Sequence, residues 1–140
     1  MKEQLGEEKI KIYRRSWDIA PPELSEDSEF NPRNDIIYKG INEDAIPNTE
    51  SLKDTYDRVI PYFNINIRPK ILSGKNVIIA AHGNSLRALC KYLFKLDDKK
   101  ISDLEIPTGN PLMVDFDKKK EIKNARYLDK NRAEKLIIFD

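Results

Sequence analysis

Cysteine and histidine are nearly absent from this sequence. Its 140 residues include one cysteine, Cys90, and one histidine, His82. A disulfide needs a pair of cysteines, and a structural zinc site needs several cysteine or histidine ligands. The sequence therefore excludes a disulfide framework and a zinc site of this kind. It also favours a reducing compartment, most simply the cytoplasm.

An excess of charge of one sign is missing as well. The 25 lysines and arginines oppose 24 aspartates and glutamates, which leaves a net charge of +1. Nucleic acids and anionic membrane surfaces attract proteins with a basic field, and we expect neither as a partner. No apolar run approaches the length of about 20 residues that a membrane-spanning helix needs. The first residues are too polar for a signal peptide, and the length fits one domain.

One stretch stands out, residues 76–87, which reads Asn-Val-Ile-Ile-Ala-Ala-His-Gly-Asn-Ser-Leu-Arg. Its apolar part is short and β-branched, which predicts a buried parallel strand rather than a helix. Apolar residues then recur at helical spacing from Leu86 to Leu93, which predicts a helix with Asn84 or Ser85 as its N-cap. Ligands of open α/β sheets bind where strands end, and a helix N-terminus there favours an anion.

Other segments give simpler expectations. The apolar stripe of residues 51–67 predicts a long helix, with Ser51 and Asp54 in a capping-box arrangement and a kink or break at Pro61. Residues 19–48 contain several prolines and predict a long loop. Residues 112–116 and 121–128 predict two strands joined by a charged turn. Cys90 lies on the apolar face of its helix and is expected in the core rather than as a nucleophile.

Arg14 and Arg15 stand next to each other and close to Trp17. One interpretation is a bidentate anion clamp, which planar guanidinium groups suit better than lysine. The other is a pair of surface arginines flanking a core tryptophan. The local sequence does not decide between these interpretations.

Several kinds of function could use the turn after the predicted strand. A serine-hydrolase elbow at Ser85 needs glycine two residues to either side, but Arg87 occupies the second position, so we set it aside. A phosphoryl-transfer site would use His82 together with Gly83 and Asn84 at the helix N-terminus. A non-catalytic phosphate-binding module would use the same groups. The simplest alternative is a structural histidine at a strand end.

Four separated motifs add a family resemblance. Residues 14–18 read Arg-Arg-Ser-Trp-Asp, residues 49–52 Thr-Glu-Ser-Leu, residues 80–87 Ala-Ala-His-Gly-Asn-Ser-Leu-Arg and residues 107–111 Pro-Thr-Gly-Asn-Pro. In this order they resemble the C-terminal part of cofactor-dependent phosphoglycerate mutase, in the histidine phosphatase superfamily. The resemblance runs from about Gly6 to about Tyr127. The double arginine and the Pro-Thr-Gly loop favour the mutase branch over more distant phosphatases of the superfamily.

The resemblance implies an α/β fold in which helices flank a mostly parallel sheet. It implies interconversion of 3-phosphoglycerate and 2-phosphoglycerate in glycolysis, through a phosphohistidine, primed by 2,3-bisphosphoglycerate and without a metal. His82 would be the second active-site histidine, which stabilises the transferred phosphoryl group. Gly83 and Asn84 would contact the substrate, and Arg14 and Arg15 would grip its phosphate and carboxylate. Family members are commonly dimers or tetramers, so a homo-oligomer is expected.

The sequence departs from the family at its N-terminal side. It contains no Arg-His-Gly motif for the nucleophilic histidine, and no counterpart of the family's acid/base glutamate or substrate-binding lysine. We therefore expect residues 1–140 to be a single partial domain that is weakly stable and inactive alone. It would be a truncated gene product, a fragment or a diverged non-catalytic relative. Codons for an Arg-His-Gly motif in the genomic DNA just upstream of Met1 would favour an enzyme fragment over a binding module. The tail, residues 131–139, also differs from the Ala/Gly/Lys-rich tail of the family.

Overall fold

The computed structural model of the chain describes residues 6–133. The backbone divides into two compact units, Met1–Asp54 and Thr55–Asp140. The expectation of one partial domain stays a prediction. Most of the divergent tail, from residue 134 onward, lies outside the described residues.

In its described part, the first unit begins with one helix, which a long connection follows. Helix α1 spans Glu7–Arg15, with glutamates in its first turn and arginines in its last turn, so the charges complement the helix dipole. The predicted loop over residues 19–48 is confirmed. It contains only short 3₁₀ turns, Pro32–Asn34, Ile36–Tyr38 and Glu43–Ala45. Each turn begins where an Asn or Asp side chain accepts the backbone N–H two residues ahead.

The predicted capping box precedes helix α2, which spans Leu52–Tyr62. The Asp54 backbone N–H donates to the Ser51 Oγ at 3.2 Å. In return, the Asp54 carboxylate accepts from the Ser51 backbone N–H at 2.9 Å and from the Ser51 hydroxyl at 2.6 Å. These bonds satisfy N–H groups that have no acceptor within the helix. The start of α2 is therefore fixed by the two residues that the sequence indicated.

Pro61 does not end the helical path. A π-helical segment, Phe63–Ile67, follows α2 directly and leads into helix α3, Arg68–Leu72. Proline has no N–H to donate, so it removes one helical bond, and the hydrogen-bonding pattern widens just after it. Of the kink or break expected at Pro61, the break is thus replaced by a change in helix type.

One hydrophobic cluster of the second unit forms around this helical segment and helix α4, Gly83–Phe94. Its buried members are Ile60, Phe63 and Leu89. Tyr92 packs edge-on against Phe63, with ring centroids 6.1 Å apart, and its hydroxyl donates to the Asn64 Oδ1 at 3.0 Å. The tyrosine therefore contributes apolar area and a satisfied polar end at the same place.

A tight connection joins α4 to helix α5, Asp98–Asp103. Lys95 ends α4 in the left-handed conformation, with φ of 52°. The Lys91 Nζ donates to the Leu96 carbonyl at 2.9 Å and to the Asp98 carboxylate at 2.7 Å. Asp97 caps α5 by accepting the Lys100 N–H at 2.7 Å. These contacts fix where α5 begins relative to the end of α4.

The predicted hairpin is confirmed. Strands β1, Leu112–Phe116, and β2, Ile122–Tyr127, pair antiparallel, with Leu112 opposite Tyr127. In the charged turn, the Asp117 carboxylate accepts the N–H groups of Lys119 and Glu121 at 2.8 Å and 2.9 Å. This side chain replaces backbone acceptors that the tip of the hairpin lacks.

The predicted mostly parallel sheet is not confirmed. In the part of the chain that the structure describes, β1 and β2 pair only with each other. Residues 76–81 form no strand, and Ile78 in their centre is 96% exposed. The prediction of a buried parallel strand there is therefore wrong for this structure, because a strand forms only when a neighbouring strand supplies its hydrogen bonds. Among the described residues, no helix is both long and apolar enough to cross a bilayer.

We predict that Ser51→Ala lowers the free energy of unfolding by about 1 kcal/mol near neutral pH. The Ser51 hydroxyl, and then the Ser51 N–H, hold the pKa of Asp54 below its ordinary value of 3.8. A carboxylate with a lowered folded-state pKa stabilises the fold above its unfolded pKa. That contribution disappears as the pH falls through the folded pKa. Urea titrations should thus show that Ser51→Ala lowers the free energy of unfolding less near pH 2 than near pH 7.

Ser73→Ala is the matched control for the capping box. The Ser73 hydroxyl is exposed and donates to the Lys70 carbonyl at 2.8 Å, so it has no carboxylate partner in this bond. Its substitution should change the unfolding free energy little at either pH. Equal losses for Ser51→Ala at the two pH values would contradict the role of Asp54.

We also predict that the Cys90 thiol is unreactive in the folded chain. The residue is 5% exposed, and burial raises its pKa to about 12. Because the thiolate is the reactive form, a disulfide reagent should label Cys90 only as fast as the chain unfolds. A Cys90→Ala, Ser73→Cys variant carries an exposed thiol and should react at once. Similar labelling rates for the two thiols in native buffer would refute this.

Candidate active site

His82 lies directly before α4 and is its N-cap residue. Its backbone is extended, with φ of −62° and ψ of 148°, and its Nδ1 accepts the Asn84 N–H at 3.5 Å. The prediction of Asn84 or Ser85 as the N-cap is therefore wrong, because the helix already begins at Gly83. A neutral imidazole that accepts at Nδ1 carries its proton on Nε2. The exposed ring can then donate a hydrogen bond through Nε2.

The first turn of α4 provides further donors. The first backbone bond of the helix runs from the Leu86 N–H to the His82 carbonyl at 3.1 Å, so the N–H groups of Gly83 and Ser85 have no acceptor within the helix, whereas that of Asn84 donates to the His82 Nδ1. A β-carbon built on Gly83 meets no described atom within 4 Å, which shows that space is open at this turn. Open space, free donors and the positive end of a helix dipole together suit an anion.

Arg87 holds the Asn84 side chain in place. The Arg87 Nη1 donates to the Asn84 Oδ1 at 3.3 Å, and its Nη2 donates to the Ile101 carbonyl in α5 at 2.8 Å. Since the amide oxygen faces the guanidinium, the Asn84 Nδ2 keeps its N–H groups for another acceptor. The sequence reasoning assigned no role to Arg87. The signal was its charge inside the apolar helix pattern, since arginine is rarely as buried as its 6% exposure here.

Arg14 and Arg15 belong to the first unit, at the C-terminal end of α1. Arg14 is exposed, whereas Arg15 and Trp17 are half-buried, and the Trp17 carbonyl accepts the Lys53 N–H at 2.8 Å. The structure thus groups His82, Gly83 and Asn84 at one helix start, and it places the two arginines in the other unit. Neither interpretation of the arginine pair is settled by these positions.

The Pro-Thr-Gly-Asn-Pro loop is anchored to the end of the hairpin. The Asn110 Nδ2 donates to the Asp129 carbonyl at 2.8 Å, and the Asn110 Oδ1 accepts the Asp129 N–H at 3.0 Å. Arg132 adds a bond from its Nη2 to the Thr108 carbonyl at 2.7 Å. Asn110 is buried and uses both ends of its amide, so its role is to fix the loop.

Within residues 6–133, no group of three or more His, Cys, Asp and Glu side chains is arranged to hold a metal ion. The donors at the start of α4 are N–H groups, which bind anions and not cations. The expectation that the site works without a metal stays a prediction.

We predict that Arg87→Lys releases the Asn84 side chain. Lysine keeps the charge but lacks the planar fork that reaches two acceptors at once. The free energy of unfolding should fall by about 1 to 3 kcal/mol, since a buried carbonyl or amide oxygen loses its donor. Nuclear magnetic resonance relaxation should report a more mobile Asn84 amide. Arg126→Lys, in an exposed ion pair with Asp115, should alter neither quantity. An Asn84 amide equally ordered in Arg87→Lys would exclude the positioning role.

Comparison with known proteins places these residues in a family context. The sequence profile of the Histidine phosphatase superfamily (branch 1) matches residues 21–127. A 2,3-bisphosphoglycerate-dependent phosphoglycerate mutase of Pelagibacter ubique is 54% identical over 139 residues, which are 99% of this chain and 58% of that protein. The mutase of the same name from Maricaulis maris is 48% identical over 132 residues, 94% of this chain and 54% of that protein.

A third relative shows a similar degree of identity. The Treponema denticola protein of the same name is 49% identical over 126 residues, which cover 90% of this chain and 51% of that protein. The chain thus spans about half the length of these relatives. Because the profile matches most of the 140 residues, this chain belongs to the histidine phosphatase superfamily.

Proposed function

We propose that this chain is part of a phosphoglycerate mutase and binds the phosphate of 3-phosphoglycerate or 2-phosphoglycerate at the start of α4. The observation that carries the proposal is the juxtaposition of the His82 imidazole, the backbone N–H groups of Gly83 and Ser85, and the Asn84 side-chain amide fixed by Arg87. Relatives that share about half of its residues are named phosphoglycerate mutases. We assign the reaction to glycolysis in the cytoplasm.

Each predicted site residue has a distinct chemical task in this proposal. The exposed His82 ring donates through Nε2 to the phosphoryl group during transfer, which lowers the energy of the charge that develops there. Gly83 contributes a backbone N–H without a side chain in the way. Asn84 donates through Nδ2, the end that Arg87 leaves open. Arg14 and Arg15 bind phosphate and carboxylate oxygens as planar forks, in the anion-clamp interpretation.

The relatives carry 2,3-bisphosphoglycerate in their names, and the residues here fit such an anionic group. The donor set at the start of α4 consists of N–H groups, and the first helical position is a glycine with open space around it. Gly83, Asn84 and His82 would hold one phosphate. When bound, the bisphosphate supplies the phosphoryl group that primes the site. No metal enters the proposal, and a homo-oligomer remains part of it.

The 140 residues by themselves should not complete the mutase reaction. The phosphohistidine route needs one imidazole to carry the phosphoryl group and another to support it, and this sequence contains a single histidine. His82 occupies the supporting position at the helix start. Catalysis would therefore need a second histidine from outside these residues.

A second candidate function is a non-catalytic module that binds phosphate ligands with the same groups. The exposure of His82 and the anion-binding start of α4 fit this function equally. The two candidates differ in one respect. A mutase part gains activity when the missing histidine is supplied by the rest of the domain, whereas a binding module stays inactive.

We predict that the chain binds 3-phosphoglycerate in calorimetric titrations and that Asn84→Asp weakens binding at least about tenfold, or about 1.4 kcal/mol. The substitution is isosteric but replaces the outward N–H groups by an anionic oxygen. Asn66→Asp adds the same charge in the π-helical segment, where the Asn66 side chain is exposed and bonds to the Tyr62 carbonyl. It should change the dissociation constant less than about twofold.

Turnover is measured on the same samples with added 2,3-bisphosphoglycerate, and we expect none. Mutase turnover by the purified chain that His82→Ala abolishes would overturn the predicted inactivity. Equal effects of Asn84→Asp and Asn66→Asp on binding would remove the start of α4 as the phosphate site.

A further inference from the structure

Lys91 lies one helical turn after Arg87 in α4, so both side chains leave the same face of the helix. The Lys91 side chain is only 13% exposed. Its Nζ donates to the Leu96 carbonyl at 2.9 Å and to the Asp98 carboxylate at 2.7 Å. Because water competes little with these acceptors, the ammonium group holds them in place.

Both basic side chains of this face bond to α5. Lys91 bonds to Asp98, at its first position, and the Arg87 Nη2 donates to the Ile101 carbonyl at 2.8 Å. Asp98 and Ile101 are three residues apart, within one helical turn. The Ile101 side chain is completely buried, so its carbonyl moves only when the helix moves. Lys91 therefore holds the turn that supplies the acceptor of Arg87.

The bond between Arg87 and Asn84 is sensitive to the position of that turn. The distance from the Arg87 Nη1 to the Asn84 Oδ1 is 3.3 Å, which leaves little room before the bond is lost. The guanidinium is rigid and planar, so Nη1 and Nη2 move together. A shift of the Ile101 carbonyl would therefore draw Nη1 away from Asn84. The released amide could turn its oxygen toward an anion.

We propose that Lys91 is a positioning residue for the anion site at the start of α4. It holds α5 so that the Ile101 carbonyl orients Arg87, and Arg87 in turn orients Asn84. Lys91 does not bind the anion itself, because seven residues separate it from Asn84, or about 10 Å along the helix axis. The inference rests on the proposed phosphate site.

The experiment measures the dissociation constant of 3-phosphoglycerate by calorimetry, together with the order of the Asn84 side-chain amide by nuclear magnetic resonance. Lys91→Met keeps the length of the side chain but removes the ammonium donors, and it should weaken binding at least about threefold. Lys91→Arg should restore binding to within about twofold, since a guanidinium can reach a carbonyl and a carboxylate together. Lys99→Met is the control, because it removes the same charge from an exposed side chain of α5. It should change the dissociation constant less than about twofold.

Asp98→Ala separates positioning from a general effect of charge. Its side chain is 68% exposed, so its removal should leave the packed core intact. If net charge governed affinity, the loss of a carboxylate would tighten the binding of an anion. Positioning predicts weaker binding, in the same direction as Lys91→Met, because the ammonium loses its partner. The two changes combined should weaken binding no more than Lys91→Met alone.

The route through Arg87 is tested in the Arg87→Lys background, where Lys91→Met should have no further effect on binding. An undiminished effect in that background would overturn the proposal. Tighter binding by Asp98→Ala would also do so, as would equal weakening by Lys91→Met and Lys99→Met.

A failure of the proposed function is distinguishable from a failure of this inference. If the unmodified chain does not bind 3-phosphoglycerate, the proposed function is wrong, but the order of the Asn84 amide is still measured in the ligand-free chain. Lys91→Met should make that amide more mobile, and Lys91→Arg should restore its order. An Asn84 amide as ordered in Lys91→Met as in the unmodified chain would exclude the role of Lys91.

Discussion

The hydrogen bonds of Arg87 are the interaction on which the candidate site depends. One arm of its guanidinium reaches the Ile101 carbonyl in α5, and another reaches the Asn84 amide in the first turn of α4. These bonds stabilise the two terminal nitrogens of a buried guanidinium, so they fix the groups that accept them. Around the connection from α4, Lys91 bonds to Asp98 and Asp97 caps the helix, which holds the start of α5 in place. The orientation of Asn84 is thereby set by the packing of two helices.

The same helix serves two surfaces. Its N-terminus carries the imidazole of His82 and the N–H donors of the proposed anion site, while its apolar face borders an open apolar groove through Leu89. The irregular residues 77–81 link these surfaces, since they end at His82 and line the groove.

The sequence predicted local features better than the sheet. Helical spacing located α4, the Ser51–Asp54 pair located the start of α2, and the charged turn located the hairpin, because each depends on residues close in sequence. The strand at residues 77–81 was predicted wrongly because its pairing depends on a partner strand that the local pattern cannot supply. Arg87 was missed because its second acceptor, the Ile101 carbonyl, is distant in sequence. Motif reasoning proposed His82, Gly83 and Asn84 as site residues, which stays a prediction. It misplaced the N-cap, since a histidine is not a usual capping residue.

The most direct measurement of the anion site is a titration of the isotope-labelled chain with inorganic phosphate, followed by nuclear magnetic resonance. Phosphate tests the helix start without the carboxylate of a phosphoglycerate. The largest saturable shifts should occur at the backbone amides of Gly83, Asn84 and Ser85 and at the Asn84 side-chain amide. Shifts confined to the exposed lysines of the hairpin turn, residues 118–120, or shifts that grow linearly without saturation, would contradict an anion site at the start of α4.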